Sequence, residues 1–128
     1  MREKLFEAAR AAAQLAHAPY SQYPVGAAIL TEAGHIHSGC NIENVSSPEG
    51  WCAETSAIAH MVMNGEHDIA EVCVFATRAD KATPCGGCRQ RLMEFGKAST
   101  SVYLCDANGI VETVTLGDLL PFAFNIED

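Results

Sequence analysis

The chain has 128 residues, of which 48% are hydrophobic and 19% are charged, and this composition excludes a disordered chain and fits a folded domain of ordinary size. Its formal net charge is −8, the opposite of the lysine and arginine excess that a protein needs to bind phosphate backbones. The balance argues against a nucleic-acid partner and favours a small, uncharged ligand.

The sequence pattern predicts neither a membrane-spanning segment nor a secretion signal. No stretch of about 18 apolar residues occurs, and Glu3 and Glu7 interrupt the segment that would be apolar in a signal peptide. We therefore expect a cytoplasmic protein with no membrane partner. In a reducing compartment the six cysteines favour metal binding or burial over disulfide pairing.

The hydrophobic pattern predicts one domain over residues 1–128 that begins with a helix and a hairpin. The helix is expected over residues 2–16, where apolar residues recur at helical spacing at Leu5, Ala8, Ala9, Ala12 and Leu15. Apolar runs at residues 25–30 and 35–40, with Gly34 in the turn between them, predict the two strands of an antiparallel hairpin.

Helices and strands alternate in the middle of the chain. Residues 52–63 predict a helix that ends at Asn64-Gly65, and residues 86–95 predict another that ends at Gly96. The apolar run at residues 72–76 lies between these helices and is typical of a buried strand.

Two further strands and a short helix complete the predicted order. The strands are expected at residues 102–105 and 111–115, and the helix at residues 116–120. Strand–helix–strand units in the middle of the chain require a parallel crossover. The order therefore predicts an α/β fold with a mixed sheet covered by helices on its faces.

Two segments at predicted helix starts contain residues suited to metal chemistry. One reads Cys52-Ala53-Glu54, and the other reads Pro84-Cys85-Gly86-Gly87-Cys88. Two thiolates separated by two residues can bind one tetrahedral metal ion, and a third thiolate from the first segment leaves the fourth position open. Three protein ligands with an open position are typical of catalytic rather than structural zinc.

Glu54 is the candidate proton carrier beside this predicted metal site. Zinc makes a bound water easier to deprotonate, and a base that is not itself a ligand must then accept the proton. Glu54 follows Cys52 by two residues and can point into the same cavity. A ligand-x-Glu segment followed by Pro-Cys-x-x-Cys is the known signature of zinc deaminases, and this chain matches it.

From these residues outward the chain resembles the small homotetrameric, zinc-dependent cytidine deaminases over nearly its full length. The similar segments are YPVGAA at residues 23–28, GCNIEN at 39–44, TPCGGCRQRLMEF at 83–95 and LLPFAF at 119–124. The resemblance implies a single-domain, three-layer cytidine-deaminase-like fold with a mixed five-stranded sheet flanked by helices.

The resemblance also implies an activity and its cofactor. The reaction would be hydrolytic deamination of cytidine and deoxycytidine to uridine and deoxyuridine, with release of ammonia, in pyrimidine salvage. Each subunit would bind one zinc ion through Cys52, Cys85 and Cys88, and Glu54 would be catalytic. A homotetramer with active sites shared between subunits is implied by similarity only.

Five substrate-binding residues follow from the resemblance. Asn41 and Glu43 would hydrogen-bond the sugar hydroxyls, although the residues alone leave open an Asx turn and a surface charge. Tyr23 would lie against the pyrimidine ring, and the backbone near Ala53 would contact the base. Phe124 would reach the site of a neighbouring subunit.

The chain departs from many relatives at two places. Thr55 stands where they carry arginine after Cys-Ala-Glu, and Ser47 stands where they often have an aromatic residue. Three thiolates leave about one negative charge on a zinc centre, which a guanidinium would offset. We therefore expect Arg89 to offset more of this charge. At the second departure, we expect Trp51 to fill part of the space near Ser47.

Three other functions fit parts of this sequence. A structural zinc module would need Cys73 or His60 as a fourth ligand, and it would leave Glu54 without a role. A deaminase of a substituted cytidine or of a nucleoside antibiotic has the same signature. An acidic chain of this size offers little room for the basic groove of a polynucleotide deaminase.

The remaining cysteines and some histidines have simpler interpretations. Three cysteines are expected to be small apolar residues in buried strands: Cys40, Cys73 and Cys105. His35 and His37 alternate on the hairpin and are expected to be exposed, and Glu127-Asp128 is expected to be a solvated end.

Overall fold

A computed structural model describes residues 1–78 and 80–126 as alternating helices and strands. The elements are α1 (Arg2–Ala13), β1 (Val25–Thr31), β2 (Ile36–Cys40), α2 (Ala53–Met63), β3 (Ile69–Ala76), α3 (Gly86–Phe95), β4 (Ser101–Asp106), β5 (Gly109–Thr115) and α4 (Leu116–Leu119). This order confirms the predicted succession, while Glu127-Asp128 lies outside the described residues. None of the described helices is long and apolar enough to cross a bilayer.

The five strands form one mixed sheet in the order β2-β1-β3-β4-β5. β1 pairs antiparallel with both β2 and β3, and β4 pairs antiparallel with β5. β3 and β4 run parallel, so α3 crosses over between them as predicted. The hairpin and the mixed five-stranded sheet are both confirmed.

Helices cover the two faces of the sheet and make three layers. Successive side chains of a strand point to opposite faces, so Val72 and Val74 of β3 pack in one buried cluster with residues of α2 and α3. Cys73 and Phe75 pack in a second cluster with residues of α1. The three-layer arrangement is thus confirmed. Cys73 and Cys105 are buried as expected, whereas Cys40 is only partly buried.

The first helix ends earlier than the sequence pattern predicted. α1 stops at Ala13, and Leu15, which was expected on its apolar face, is 81% exposed. The helix ends early because His17 bonds to the segment after β2. Its N–H donates to the carbonyl of Asn41, and its own carbonyl accepts from the N–H of Glu43. A backbone bridge to the segment after β2 therefore replaces the last predicted helical turn.

Gly39 lets α2 lie directly against the backbone of β2. A Cβ atom at this position would lie 2.3 Å from the backbone N of Ala57 and 2.7 Å from the carbonyl carbon of Ser56. No side chain fits in that space, because real Cβ atoms do not approach other heavy atoms so closely. The position of α2, which begins immediately after Cys52 and contains Glu54, depends on this contact.

We predict that Gly39→Ala lowers the free energy of unfolding by about 3 kcal/mol, because the added methyl group must push α2 away from β2. The measurement is urea unfolding of the variant and of Ser38→Ala, a neighbouring control that adds no atoms. A Gly39→Ala midpoint equal to that of the control would contradict the proposed contact.

A carboxylate near the end of α2 binds two histidines of the hairpin, and this corrects one expectation. His35 is exposed as predicted, but only 7% of the surface of His37 is exposed. His35 Nδ1 and His37 Nε2 each lie 2.8 Å from the same oxygen of Glu66. Hydrogen bonds from Thr31, His37 and His35 lower the pKa of Glu66 to about 2.

The lowered pKa of Glu66 predicts a pH-dependent contribution to stability. The ionised carboxylate stabilises the fold fully above the ordinary glutamate pKa of 4.5, and the contribution is lost as the pH falls toward 2. Glu66→Gln should therefore unfold at lower urea than wild type at pH 7, and the gap should close as the pH falls through this window. A gap that stays constant with pH would contradict the assignment.

Candidate active site

Three cysteines meet where α2 and α3 begin. Cys52 is the residue just before α2, Cys85 is the residue just before α3, and Cys88 lies in the first turn of α3. Their sulfur atoms all lie within 4.8 Å of one another. Cys85 is exposed and Cys88 is buried, so the cluster opens to solvent on one side.

The geometry of this cysteine cluster fits zinc. Tetrahedral zinc with Zn–S bonds of about 2.3 Å holds its sulfur ligands about 3.8 Å apart. The sulfur atoms of Cys52 and Cys85 are 3.7 Å apart. Among residues 1–78 and 80–126 no other group of three or more metal-binding side chains is as close. The structure therefore brings together the three predicted ligands in a suitable arrangement.

The side chains that a structural zinc site would need are directed elsewhere. The sulfur of Cys73 lies 3.3 Å from that of Cys105, in the cluster beneath α1. Nδ1 of His60 lies 3.3 Å from the carbonyl oxygen of Ser38, and its ring packs edge-on against His37. Neither Cys73 nor His60 joins the cysteine cluster, which among the described residues consists of three candidate ligands.

The three thiols have unequal tendencies to ionise. Burial raises the pKa of Cys52, and burial followed by the charge of Glu54 raises the pKa of Cys88. Partial burial also opposes ionisation of Cys85, but hydrogen bonds from the backbone and side chain of Cys88 and from the side chain of Cys52 together outweigh it and lower the pKa of Cys85. Like charges in one site oppose one another, so a bound cation is needed to ionise all three.

Glu54 lies beside the cysteine cluster in the first turn of α2. Only 4% of its surface is exposed, and burial raises its pKa above the ordinary value. A hydrogen bond with Cys88 acts in the opposite direction, which also places the carboxyl group at the cluster. A carboxyl group with a raised pKa can accept and return a proton near neutral pH.

The two residues predicted to support the metal site have different contacts. Thr55 Oγ1 lies 3.7 Å from the sulfur of Cys88. Arg89 donates from Nε to the carbonyl of Pro84 at 2.8 Å and from Nη1 to that of Leu119 at 3.0 Å. Arg89 thus ties the loop before α3 to the end of α4. Its expected role in offsetting thiolate charge stays a prediction.

Sequence reasoning missed Arg91, whose guanidinium lies at the metal site. Nη1 of Arg91 is 3.9 Å from the sulfur of Cys88. Residues three apart on a helix are neighbours on its surface, so the spacing from Cys88 to Arg91 was the available signal. The Cys-x-x-Cys pattern itself ends at Cys88 and does not draw attention to the next turn.

A cleft of about 610 Å³ adjoins Cys52 and contains both predicted sugar-binding residues. Its walls come from residues 20–21, 41–45 and 50–52, together with Ser47. Ile42 and Trp51 form an isolated antiparallel bridge with two 2.9 Å hydrogen bonds, which closes the intervening loop. This bridge brings the segment after β2 next to the start of α2.

Asn41 fixes the segment that leads into β1. Its Oδ1 accepts the N–H of Val25 at 2.9 Å, and its Nδ2 donates to the carbonyl of Tyr23 at 3.0 Å. The same side chain therefore borders the cleft and sets the path of the backbone next to Tyr23.

Glu43 holds the earlier part of the same segment, at Tyr20 and Ser21. Its carboxylate accepts the backbone N–H groups of Tyr20 and Ser21 at 3.0 and 3.1 Å, and it also accepts the hydroxyl of Ser21. The hydroxyl and backbone bonds from Ser21 lower the pKa of Glu43. The carboxylate is therefore ionised and held at the edge of the cleft.

The other predicted substrate-binding residues occupy different surroundings. Tyr23 is 37% exposed, and Ala53 is 1% exposed as the first residue of α2. Phe124 is 75% exposed and lines a separate cavity with residues 120–126, away from the cleft beside Cys52. Within one chain, the structure does not bring Phe124 to the cysteine cluster.

Comparisons with known proteins agree with this geometry. A family model described as the cytidine and deoxycytidylate deaminase zinc-binding region matches residues 1–105. The cytidine deaminase of Sporosarcina psychrophila is 42% identical over 98% of this chain and 93% of its own length. That of Halalkalibacterium halodurans is 39% identical over 99% of this chain and 96% of its own length.

Solved structures give the same result for the fold. The crystal structure of cytidine deaminase from Burkholderia pseudomallei has a TM-score of 0.91 and 40% identity, and the match covers 97% of this chain and 99% of that one. The cytidine deaminase of Mycobacterium tuberculosis has a TM-score of 0.85 and 34% identity, with 97% of both chains covered. The chain therefore has the cytidine-deaminase fold and belongs to the zinc-binding cytidine and deoxycytidylate deaminase family.

Proposed function

We propose that this chain catalyses the zinc-dependent hydrolytic deamination of cytidine and deoxycytidine to uridine and deoxyuridine, with release of ammonia. The observation that carries the proposal is the buried carboxyl group of Glu54 beside three cysteines whose spacing fits zinc. Its relatives over nearly the full length are cytidine deaminases, and the adjoining cleft is large enough for a nucleoside.

Glu54 would move the protons of this reaction. Zinc held by the three cysteines would supply a Lewis acid that makes water a nucleophile near neutral pH. Glu54 would accept a proton from the attacking water and deliver it to the ring nitrogen next to carbon 4. A second proton would then pass through Glu54 to the amino group, which leaves as ammonia while the carbonyl of uridine forms.

Four residues of this chain would bind and orient the nucleoside. Asn41 and Glu43 are proposed to bind the sugar hydroxyls, because both border the cleft next to Cys52. A carboxylate has about four acceptor positions, and Glu43 uses three, so one is left for a hydroxyl. Tyr23 is proposed to lie against the ring, and the backbone near Ala53 is proposed to contact the base.

A substituted cytidine or a nucleoside antibiotic is the second candidate substrate. Two cleft-lining residues, Ser47 and Trp51, support this candidate. Ser47 stands where the resemblance implies an aromatic residue in many relatives, and Trp51 lies nearby in the sequence. A changed wall alters which ring substituents fit. Assaying 5-methylcytidine beside cytidine distinguishes the two candidates, because only the second candidate predicts a higher kcat/KM for the substituted ring.

The cellular setting follows from the proposed reaction and the sequence. Deamination of free nucleosides is a step of pyrimidine salvage, and we propose that the protein acts in the cytoplasm. We also propose that residues 1–128 work as one domain, since the two buried clusters share strands β1, β3 and β4 and together include residues of all four helices.

The first test is the fall in ultraviolet absorbance of cytidine and deoxycytidine with wild type and with Glu54→Gln. The amide has nearly the shape of the carboxylate but cannot carry the proton, so kcat should fall by at least about 100-fold. Zinc content, measured on the same samples, should stay at the wild-type level because Glu54 is not a ligand.

The matched control is Glu32→Gln, which changes the same group on an exposed turn far from the cluster along the chain. It should keep wild-type activity. A wild-type protein that holds zinc but leaves both nucleosides unchanged would contradict the proposed substrates. A Glu54→Gln variant with full activity would contradict the proposed proton carrier.

We further propose a homotetramer in which Phe124 completes the site of a neighbouring subunit. Two observations support this arrangement. Phe122 and Phe124 are among the most exposed large apolar side chains of the described residues, and exposed aromatic surface of this kind is typical of protein interfaces. In addition, Phe124 does not line the cleft of its own chain.

Co-expression of Glu54→Gln and Phe124→Ala chains with different tags tests the shared site. We expect each variant alone to lose activity, Phe124→Ala by about tenfold because a base–aromatic contact is removed. In mixed oligomers with random pairing about a quarter of the sites would combine an intact Glu54 with an intact neighbouring Phe124. Activity should therefore exceed the mean of the parents, whereas activity at or below that mean would contradict a shared site.

A further inference from the structure

A positive charge near the cysteine cluster would stabilise its thiolates, and Arg91 is nearer to one of them than the sequence pattern indicated. Three thiolates carry three negative charges, so a divalent ion leaves the centre with about one. Thr55 contributes only a neutral hydroxyl near Cys88. The guanidinium of Arg89 is bound to the carbonyls of Pro84 and Leu119. A further cation close to the sulfur atoms would add to the stabilisation that the two helix N-termini give.

Arg91 lies where such a cation is needed. Its Nη1 is 3.9 Å from the sulfur of Cys88, and Cys88 precedes Arg91 by about one turn of α3. Cys88 is the buried sulfur of the cluster, so solvent stabilises its charge least. Within the described part of the chain, Arg91 forms no ion pair with a carboxylate. Its charge is therefore not already compensated by a carboxylate.

Gly87 leaves the path of this side chain open. A Cβ atom at Gly87 would lie 3.1 Å from Nη1 of Arg91, closer than an ordinary van der Waals contact. A side chain there would press on the guanidinium and shift it relative to Cys88. Gly87, the second of the two glycines between Cys85 and Cys88, thus leaves room for the guanidinium of Arg91.

We propose that Arg91 is a positioning residue of the metal site, which donates an N–H to the thiolate of Cys88 and offsets the negative charge of the zinc centre. In this chain Arg91 would offset the thiolate charge that an arginine at the position of Thr55 would otherwise offset. Hydrogen bonds from ionised donors to anions are stronger than neutral ones. The inference rests on the zinc site of the proposed function, but it concerns metal affinity and not the substrate.

Zinc affinity provides a readout that is independent of deamination. The dissociation constant would be measured at pH 7 by competition with a chromophoric chelator, for wild type, Arg91→Gln and Arg91→Lys. Zinc should dissociate from Arg91→Gln about three- to tenfold more readily, because an exposed cation near an anion contributes a modest free energy. Arg91→Lys keeps the charge and should retain most of the affinity.

A matched control separates the local effect from net charge. Arg10→Gln makes the same change in net charge, but Arg10 lies on α1 and pairs with Glu7. Its zinc affinity should equal that of wild type. If Arg91→Gln and Arg10→Gln bind zinc equally well, Arg91 has no special role and the inference is overturned.

A rescue experiment separates charge from packing. The side chain of residue 55 faces the same sulfur, since Thr55 Oγ1 is 3.7 Å from Cys88 Sγ. Thr55→Arg added to Arg91→Gln should restore most of the lost zinc affinity. If Arg91→Lys binds as poorly as Arg91→Gln and Thr55→Arg rescues nothing, Arg91 acts by packing alone, which also overturns the inference.

The outcomes distinguish this inference from the proposed function. If Arg91→Gln keeps full zinc affinity and normal deamination, the inference about Arg91 is overturned and the proposed function stands. If the wild-type chain binds zinc tightly but deaminates neither nucleoside, the proposed function is overturned. In that case, a loss of zinc affinity in Arg91→Gln would still support the inference. A wild-type chain that binds no zinc would overturn both.

Discussion

The direct backbone contact between α2 and β2 is the constraint on which the site depends. Gly39 lies at this contact, where even one methyl group would collide with the backbone of Ala57. Because a helix is rigid over its 11 residues, a fixed middle also fixes its first turn. The first turn contains Glu54 and follows Cys52, so a ligand and the candidate proton carrier are placed by one glycine in a neighbouring strand.

The parallel crossover places the second half of the site. β3 and β4 run side by side, and α3 returns between them over the same face of the sheet that α2 covers. Both helices therefore present their N-terminal ends to one place. The backbone N–H groups and the partial positive charge of a helix N-terminus favour thiolates there. Cys85 benefits from this directly, whereas burial makes the ionised form of Cys88 costly.

Much of the fold and the metal cluster could be predicted because their signals are local. The Cys-x-x-Cys spacing, the glutamate two residues after Cys52 and the helix stops at Gly65 and Gly96 all depend on neighbours in sequence. The bounds predicted for α3 agree with the structure for the same reason.

The features that were missed depend on contacts between distant segments. α1 ends early because His17 bonds to the backbone near Asn41, and His37 is buried because Glu66 reaches it from the other end of α2. Arg89 directly follows Cys88 in sequence, yet its guanidinium bonds to two backbone carbonyls. The direction of each side chain, and not its closeness in sequence, decides which guanidinium meets the sulfur.

The hydrogen bonds of Asn41 and Glu43 have a consequence for the thermodynamics of ligand recognition. Both side chains hold residues 20–25 in place through hydrogen bonds within the chain itself. The conformational entropy of that segment is then lost during folding and not during association, so a ligand meets a preorganised wall. An ordered wall of this kind favours rapid, rigid-body capture of a small molecule over slow induced closure.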